Sequence, residues 1–294
     1  MKDEFSRYHP IANFAYFAAA IAFSMVYMHP LFLIISNLAA LSYLIYLNGK
    51  KTFGYLFKFV APMAALAVLV NFLFNHKGGT ILFYMYGGNP ATLESLIYGI
   101  SAAAMFASVL LWFACLNRVF TTDKFIYLFG RIIPSLSLIL SMILRFVPLF
   151  KRRYTQVSEA QKGLYSKTDS GKRGKARRAF NTLSIMLTWS LENAVGVADS
   201  MRARGYGLRG RTAFTTFRMY FRDTLSVVAT MCASALLITL GVFGAVSVEF
   251  YPRFEYSESI FTALGGILYA VLCLTPLAIN LTGDLRWKYS ESKN

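Results

Sequence analysis

Of the chain's 294 residues, 56% are apolar, 16% aromatic and only 15% charged, well below the roughly one-quarter charged content of soluble domains. That composition excludes an ordinary water-soluble domain and reads as a membrane protein. The charge balance, 30 Lys and Arg against 14 Asp and Glu, gives +16. Such an excess suits nucleic acid or an anionic surface, and where the cations sit decides between them.

In chain order, Lys2, Asp3, Glu4 and Arg7 precede a long apolar run that has no small-residue cleavage site after it, so a retained first span is expected. Runs long enough to cross a hydrocarbon core of about 30 Å lie near residues 10–28, 31–47, 55–74 and 93–116, then near 225–248 and 260–281. Small residues four apart within them (Ala18 and Ala22, Ala61 and Ala65, Ala103 and Ala107) suit close helix approach in lipid. Asn13, Asn71 and Glu94 are candidates for hydrogen bonds between helices. Cys115, Cys232 and Cys273 are scattered through apolar stretches, which gives neither a zinc nor a disulfide pattern.

Short loops set the expected orientation. Lys50 and Lys51 follow the second span, whereas the loop at 75–92 holds only Lys77 and the His29-Pro30 turn holds no Lys or Arg. Alternation then puts both termini and the Arg118 end of the fourth span in the cytoplasm. Arg253 among Glu249, Glu255 and Glu258 faces out, and Arg286, Lys288 and Lys293 return inside. From Lys151 to Asp223 there are 16 Lys and Arg against 5 acidic residues, so +11 of the total +16 lies in one interruption between the fourth and fifth spans. The positive-inside bias accounts for this excess with no nucleic acid involved.

The interruption is expected to be helical. Residues 125–150 are apolar but broken by Arg131, Pro134, Arg145 and Pro148, which suits a segment in or under the membrane interface. Tyr154, Val157 and Leu164 continue a helical stripe until Gly163 and the basic stretch Lys167 to Arg178, read as a flexible linker. Phe180, Leu183, Leu187, Leu191, Ala194, Ala198 and Met201 then recur at steps of three and four, marking a second amphipathic helix up to Gly205. Arg202 and Arg204 in its last turn, followed by Gly205 and Gly207, are ordinary helix stop signals as well.

Four motifs in order carry a family resemblance: Thr121-Thr122, then Ser141-Met-Ile-Leu-Arg-Phe-Val-Pro-Leu-Phe150, then Ser158-Glu-Ala-Gln-Lys-Gly163, then Ala198-Asp-Ser-Met-Arg-Ala-Arg-Gly-Tyr206 with Arg211-Thr212 beyond it. Together they resemble the transmembrane T component (EcfT-like, CbiQ-type) of energy-coupling-factor transporters. The resemblance implies an all-α polytopic bundle of about six spans with a cytoplasmic helical coupling insert, divided as residues 1–120, 121–223 and 224–294. It also implies two ABC-type ATPase partners, a membrane S component that binds a vitamin or similar micronutrient, and a multi-pass place in the cell membrane. ATP and magnesium would belong to the partner subunits, with no cofactor or metal on this chain.

In that family the two cytoplasmic helices end in Ala-Arg-Gly motifs that dock on the ATPases. The second motif stands here as Ala203, Arg204 and Gly205. The first is degenerate: Glu159, Ala160, Gln161, Lys162 and Gly163 are followed by Leu164 where the family has its arginine, which leaves Lys162 as the nearest cation. Arg145, Pro148 and Arg202 are expected in supporting roles, although Arg145 on an apolar face is equally suited to snorkel to headgroups. A small residue, an Arg and a Gly also make a good docking end on physical grounds, through close approach, a planar fork and a free turn.

No catalytic residues are expected. The sequence has no phosphate-cradling Gly-x-x-x-x-Gly-Lys-Ser/Thr and no His-Glu-x-x-His, and His9, His29 and His76 lie at or beside loops. An autonomous channel or secondary transporter would call for inverted repeats or charged spans. A membrane enzyme would call for interfacial acidic or histidine clusters, and neither pattern is found.

Overall fold

The computed structural model describes residues 3–84, 90–130, 134–164, 171–206, 217–245, 248–251, 255–256 and 259–291. The architecture is all-α, with two minimal antiparallel ribbons in the loops, β1 (Ile81–Tyr84) with β2 (Pro90–Thr92) and β3 (Val248–Glu249) with β4 (Glu255–Tyr256).

The first two helices begin alike. α1 (Pro10–Val26) and α2 (Pro30–Asn48) each start with a proline, preset for the helical φ and lacking an N–H that would go unpaired. Each is preceded by a histidine whose Nδ1 accepts the N–H of Ile11 or Leu31 at 3.3 Å. α3 (Lys51–Phe74) contains a π turn at Leu56–Val60. α4 (Leu93–Val119) is capped by Thr92, whose hydroxyl accepts the Ser95 N–H. After it come α5 (Thr122–Gly130), α6 (Pro134–Leu164), α7 (Lys172–Ala203), α8 (Phe221–Gly244) and α9 (Ile260–Glu291). α2, α3, α4, α8 and α9 are long and apolar enough to cross a membrane, and α1 is an apolar helix of 17 residues at the short end of the spanning range.

The chain divides into two compact units, residues 1–125 with 217–294, and residues 126–216. The core of the first is aromatic: Trp112, Tyr16, Tyr43, Tyr269, Phe5, Phe17 and Phe32 are fully buried. A hydroxyl cluster ties four helices together inside it. Ser36 of α2 accepts from Ser108 at 2.6 Å and from Trp112 Nε1 at 3.0 Å, both on α4, and pairs with Ser24 of α1 at 2.8 Å. Ser24 in turn meets the Tyr269 hydroxyl of α9 at 3.1 Å. With no water in hydrocarbon, such groups must satisfy one another.

The small-residue pairs fare unequally. Ala103 is buried and Ala107 packs on the core, but Ala18, Ala22, Ala61 and Ala65 are exposed. A spacing of four defines a helix face without saying which way it points, and in α1 the inward face is taken by Ala12, Tyr16 and Ala20. Asn13, with its amide oriented to satisfy both ends, donates to the Phe5 carbonyl and accepts from Lys124. Asn71 bonds through its side chain only to Ala67 of its own helix, while its carbonyl receives Ser95 of α4. Glu94 accepts from the Thr80 hydroxyl and N–H of the loop before its own helix, not from another helix.

Contacts also define two ends of this unit. At one, Phe5 N–H donates to Asn280 at 2.9 Å, Tyr46 donates to Asp284 at 2.7 Å, and Lys124 donates to the carbonyls of Ser6 and Val119. At the other, Asn75 donates to the Tyr251 hydroxyl at 2.6 Å, and Tyr98 packs edge-on against Phe250.

The second unit is built on the helix pair α6 and α7, with the end of α5 from Ile126. Pro148 sits inside α6, which continues through Gly163 to Leu164 rather than breaking at the glycine. α7 begins at Lys172, so the stretch up to Arg178 is not a linker over its whole length. Beyond Gly174 the run Lys175-Ala-Arg-Arg-Ala consists of strong helix formers, and these outweigh the glycines. Arg131, residues 165–170, Gly207, Arg209, Arg211, Thr212, Arg253, Glu258 and Lys293 lie outside the described residues.

Candidate coupling site

The end of α7 is built by its last six residues. Arg204 caps the helix, and Gly205 turns into the left-handed region at φ +75°. The Gly205 N–H donates to Arg202 O at 2.9 Å and the Tyr206 N–H to Met201 O at 3.0 Å. These nested bonds form a Schellman motif, which pairs carbonyls the helix would otherwise leave open and needs a residue without Cβ strain at the turn. Ala203 and Arg204 are exposed on this fixed end. Arg202 pairs loosely with Asp199 at 4.0 Å, both well exposed. Among the described residues no carboxylate pairs with Arg204.

The degenerate motif has a different backbone. Glu159, Ala160, Lys162 and Gly163 are exposed near the end of α6 and Gln161 is half-buried. Gly163 is helical, with open space where a Cβ would be. It therefore does not repeat the left-handed stop of Gly205. Arg145 and Pro148 are also exposed on α6.

What joins the two helices is a contact that periodicity does not reveal. Trp189 of α7 meets Phe150 of α6 edge-on at 5.5 Å, and the Arg153 guanidinium lies 5.2 Å from the indole centroid. Phe146 extends the cluster, 6.1 Å from Phe150. The one Trp of α7, set off the Phe180-Leu183-Leu187-Leu191 stripe, was the available signal. The apolar stripe of α7 points elsewhere: Phe180, Leu183, Leu187 and Leu191 are exposed, whereas the covered positions are Gly174 and Thr182, followed by half-buried Met186, Trp189, Asn193 and Val197. At 100° per residue the two sets occupy different faces, centred roughly 140° apart.

No group of three or more His, Cys, Asp or Glu that could hold a metal occurs among the described residues. Lys124, which no sequence motif marks, is the most deeply placed cation outside the spanning helices among the described residues. Burial pushes its pKa down to about 8, against the opposing pull of Asp3.

Residues 7–214 match the family model for CbiQ, described as cobalt transport protein. The chain is 29% identical over 219 residues to the energy-coupling factor transporter transmembrane protein EcfT of Listeria innocua, covering 68% of this chain and 81% of that protein. It is 25% identical over 209 residues to the EcfT of Staphylococcus aureus, covering 67% and 78%. The EcfT of Streptococcus thermophilus is 34% identical over a shorter stretch of 108 residues, covering 36% of this chain and 41% of that protein. Matched over more than half its length, this multi-pass chain belongs to the CbiQ family of cobalt transport proteins, among the EcfT-like transmembrane components of energy-coupling-factor transporters.

Proposed function

We propose that this chain is the non-catalytic coupling subunit of such a transporter. It passes ATP-driven motion from two cytoplasmic ABC-type ATPases to a membrane S component that carries a vitamin or micronutrient. The observation that carries this reading is Arg204. It is an exposed cation without a carboxylate partner among the described residues, held on a rigid helix end. Glycine turns the chain away immediately after it, so a partner surface can approach closely. ATPase closure would move Arg204, and the Trp189 contact would carry that motion from α7 to α6. The open stripe Phe180, Leu183, Leu187 and Leu191 offers the S component an apolar face.

In this reading ATP and magnesium sit on the partner subunits, and both termini and the Lys50 end face the cytoplasm. A channel reading is disfavoured because the interior of the membrane unit is filled by Trp112, Tyr16, Tyr43 and Tyr269. Purification from native membranes tests the assignment: ABC-type ATPases and a small membrane protein should come with the chain, which alone should bind no ATP. Stoichiometric ATP binding by the isolated chain would refute it. For orientation, single cysteines at Lys50 and Lys77, in a background lacking Cys115, Cys232 and Cys273, should label from opposite faces, and labelling from one face would refute the topology.

A further inference from the structure

A cleft of about 330 Å³ runs along α8 and α9 in the membrane unit. Its walls are Leu225, Ala229 and Ala233 on α8 with Leu268, Leu272 and Ile279 on α9. Two threonines in the lining add no free polarity, because Thr230 donates to Ser226 O and Thr275 to Val271 O within their own helices. One end is different. Arg222 and Tyr8 lie there, with the guanidinium 5.0 Å from the Tyr8 ring centroid and 5.9 Å from that of Tyr220. Arg222 is half exposed, and Asp223 approaches its Nε at 3.7 Å while the other Asp223 oxygen accepts the Tyr220 N–H.

We infer that this cleft is a binding site for one anionic phospholipid, its phosphate on Arg222 and an acyl chain along the apolar wall. The charge at the mouth and the apolar depth match an amphiphile with an anionic head. From Arg222 to Ala233 the helix rises roughly 16 Å, about half the hydrocarbon core, so a chain anchored at the interface reaches the bilayer interior. Arginine suits phosphate because its planar fork makes charge-assisted hydrogen bonds and is weakly hydrated. The inference does not depend on the coupling role.

The test is native mass spectrometry of the purified full-length protein in detergent, with phosphatidylglycerol and phosphatidylcholine of equal chain length as probes. The wild type should retain one phosphatidylglycerol with a preference of about tenfold over phosphatidylcholine. Arg222→Leu and Arg222→Gln should erase that preference, and Ala229→Trp, which fills the cleft, should lose both lipids. Equal retention of the two lipids by the wild type, which needs no variant, would overturn the proposal. So would a preference that survives both Arg222 substitutions, or a photo-crosslinker at position 229 that captures a protein subunit instead of lipid.

Discussion

Trp189 and Phe150 meet edge to face, ring centroids 5.5 Å apart and planes at 89°, and this pair with Arg153 is the clasp between α6 and α7. An edge-to-face pair is worth about 0.5–1.5 kcal/mol and an exposed cation–π contact about 0.5–1 kcal/mol. Trp189→Ala should therefore loosen the helix pair by about 1–2.5 kcal/mol. Hydrogen exchange across 172–203 should speed up by roughly 5- to 70-fold while α1, α2 and α4 stay protected. Unchanged exchange in α7 would show that the clasp carries no weight.

Ser36 takes three partners from two other helices, Ser24 on α1 and both Ser108 and Trp112 on α4, and Ser24 extends the cluster to Tyr269 of α9. Interhelical hydrogen bonds in membranes average about 0.6 kcal/mol and reach about 1.7. Ser36→Ala should lower stability in detergent by about 1–2 kcal/mol, since Trp112 and Ser108 lose their acceptor together. Ser42→Ala is the control, because Ser42 bonds only to Ala39 of its own helix. Equal melting of the two variants would count against the hub.

Lys124 gives a pH dependence of definite sign. Its pKa is about 8 in the fold against an ordinary value of 10.5, and burial is the main cause. Between these values the unfolded chain binds more protons than the folded one, so this group makes stability rise as the pH climbs from about 8 to about 10.5. Lys124→Met should remove that rise. It should also lower stability at all pH values by orphaning the Ser6 and Val119 carbonyls. A pH–stability profile for Lys124→Met parallel to that of the wild type would contradict the assignment.

The spans were legible in the sequence because the membrane imposes long apolar runs. The helix stop at Gly205 was legible too, since glycine after a basic turn has a local cause. What escaped depends on which side of a helix faces inward. Ser24, Ser36 and Ser108 look like any small residues in an apolar run, and Lys124 looks like one more basic residue near an interface. The stripe on α7 was found by its spacing, but its spacing did not tell that it would face away from the covered positions at Thr182 and Trp189.

The central claim is that Arg204 meets an ATPase carboxylate while Lys162 contributes a weaker, more solvated contact. Gly205 cannot separate docking from folding, because any side chain at φ +75° strains the helix end by itself. Arg204 is exposed and uses only its backbone in the cap, so its side chain can be changed without touching the Schellman bonds. Removing one partner of a buried interfacial ion pair costs about 2–5 kcal/mol, whereas a solvated pair is worth about 0–1 kcal/mol. The direct measurement is ATPase retention and substrate uptake in membranes for Arg204→Ala, Arg204→Glu and Lys162→Ala at matched expression. Arg204→Glu should fall furthest, Arg204→Ala next, and Lys162→Ala should remain close to wild type. Near-normal retention and uptake for Arg204→Glu would mean that the basic helix end only caps α7, and the coupling role of Arg204 would fall.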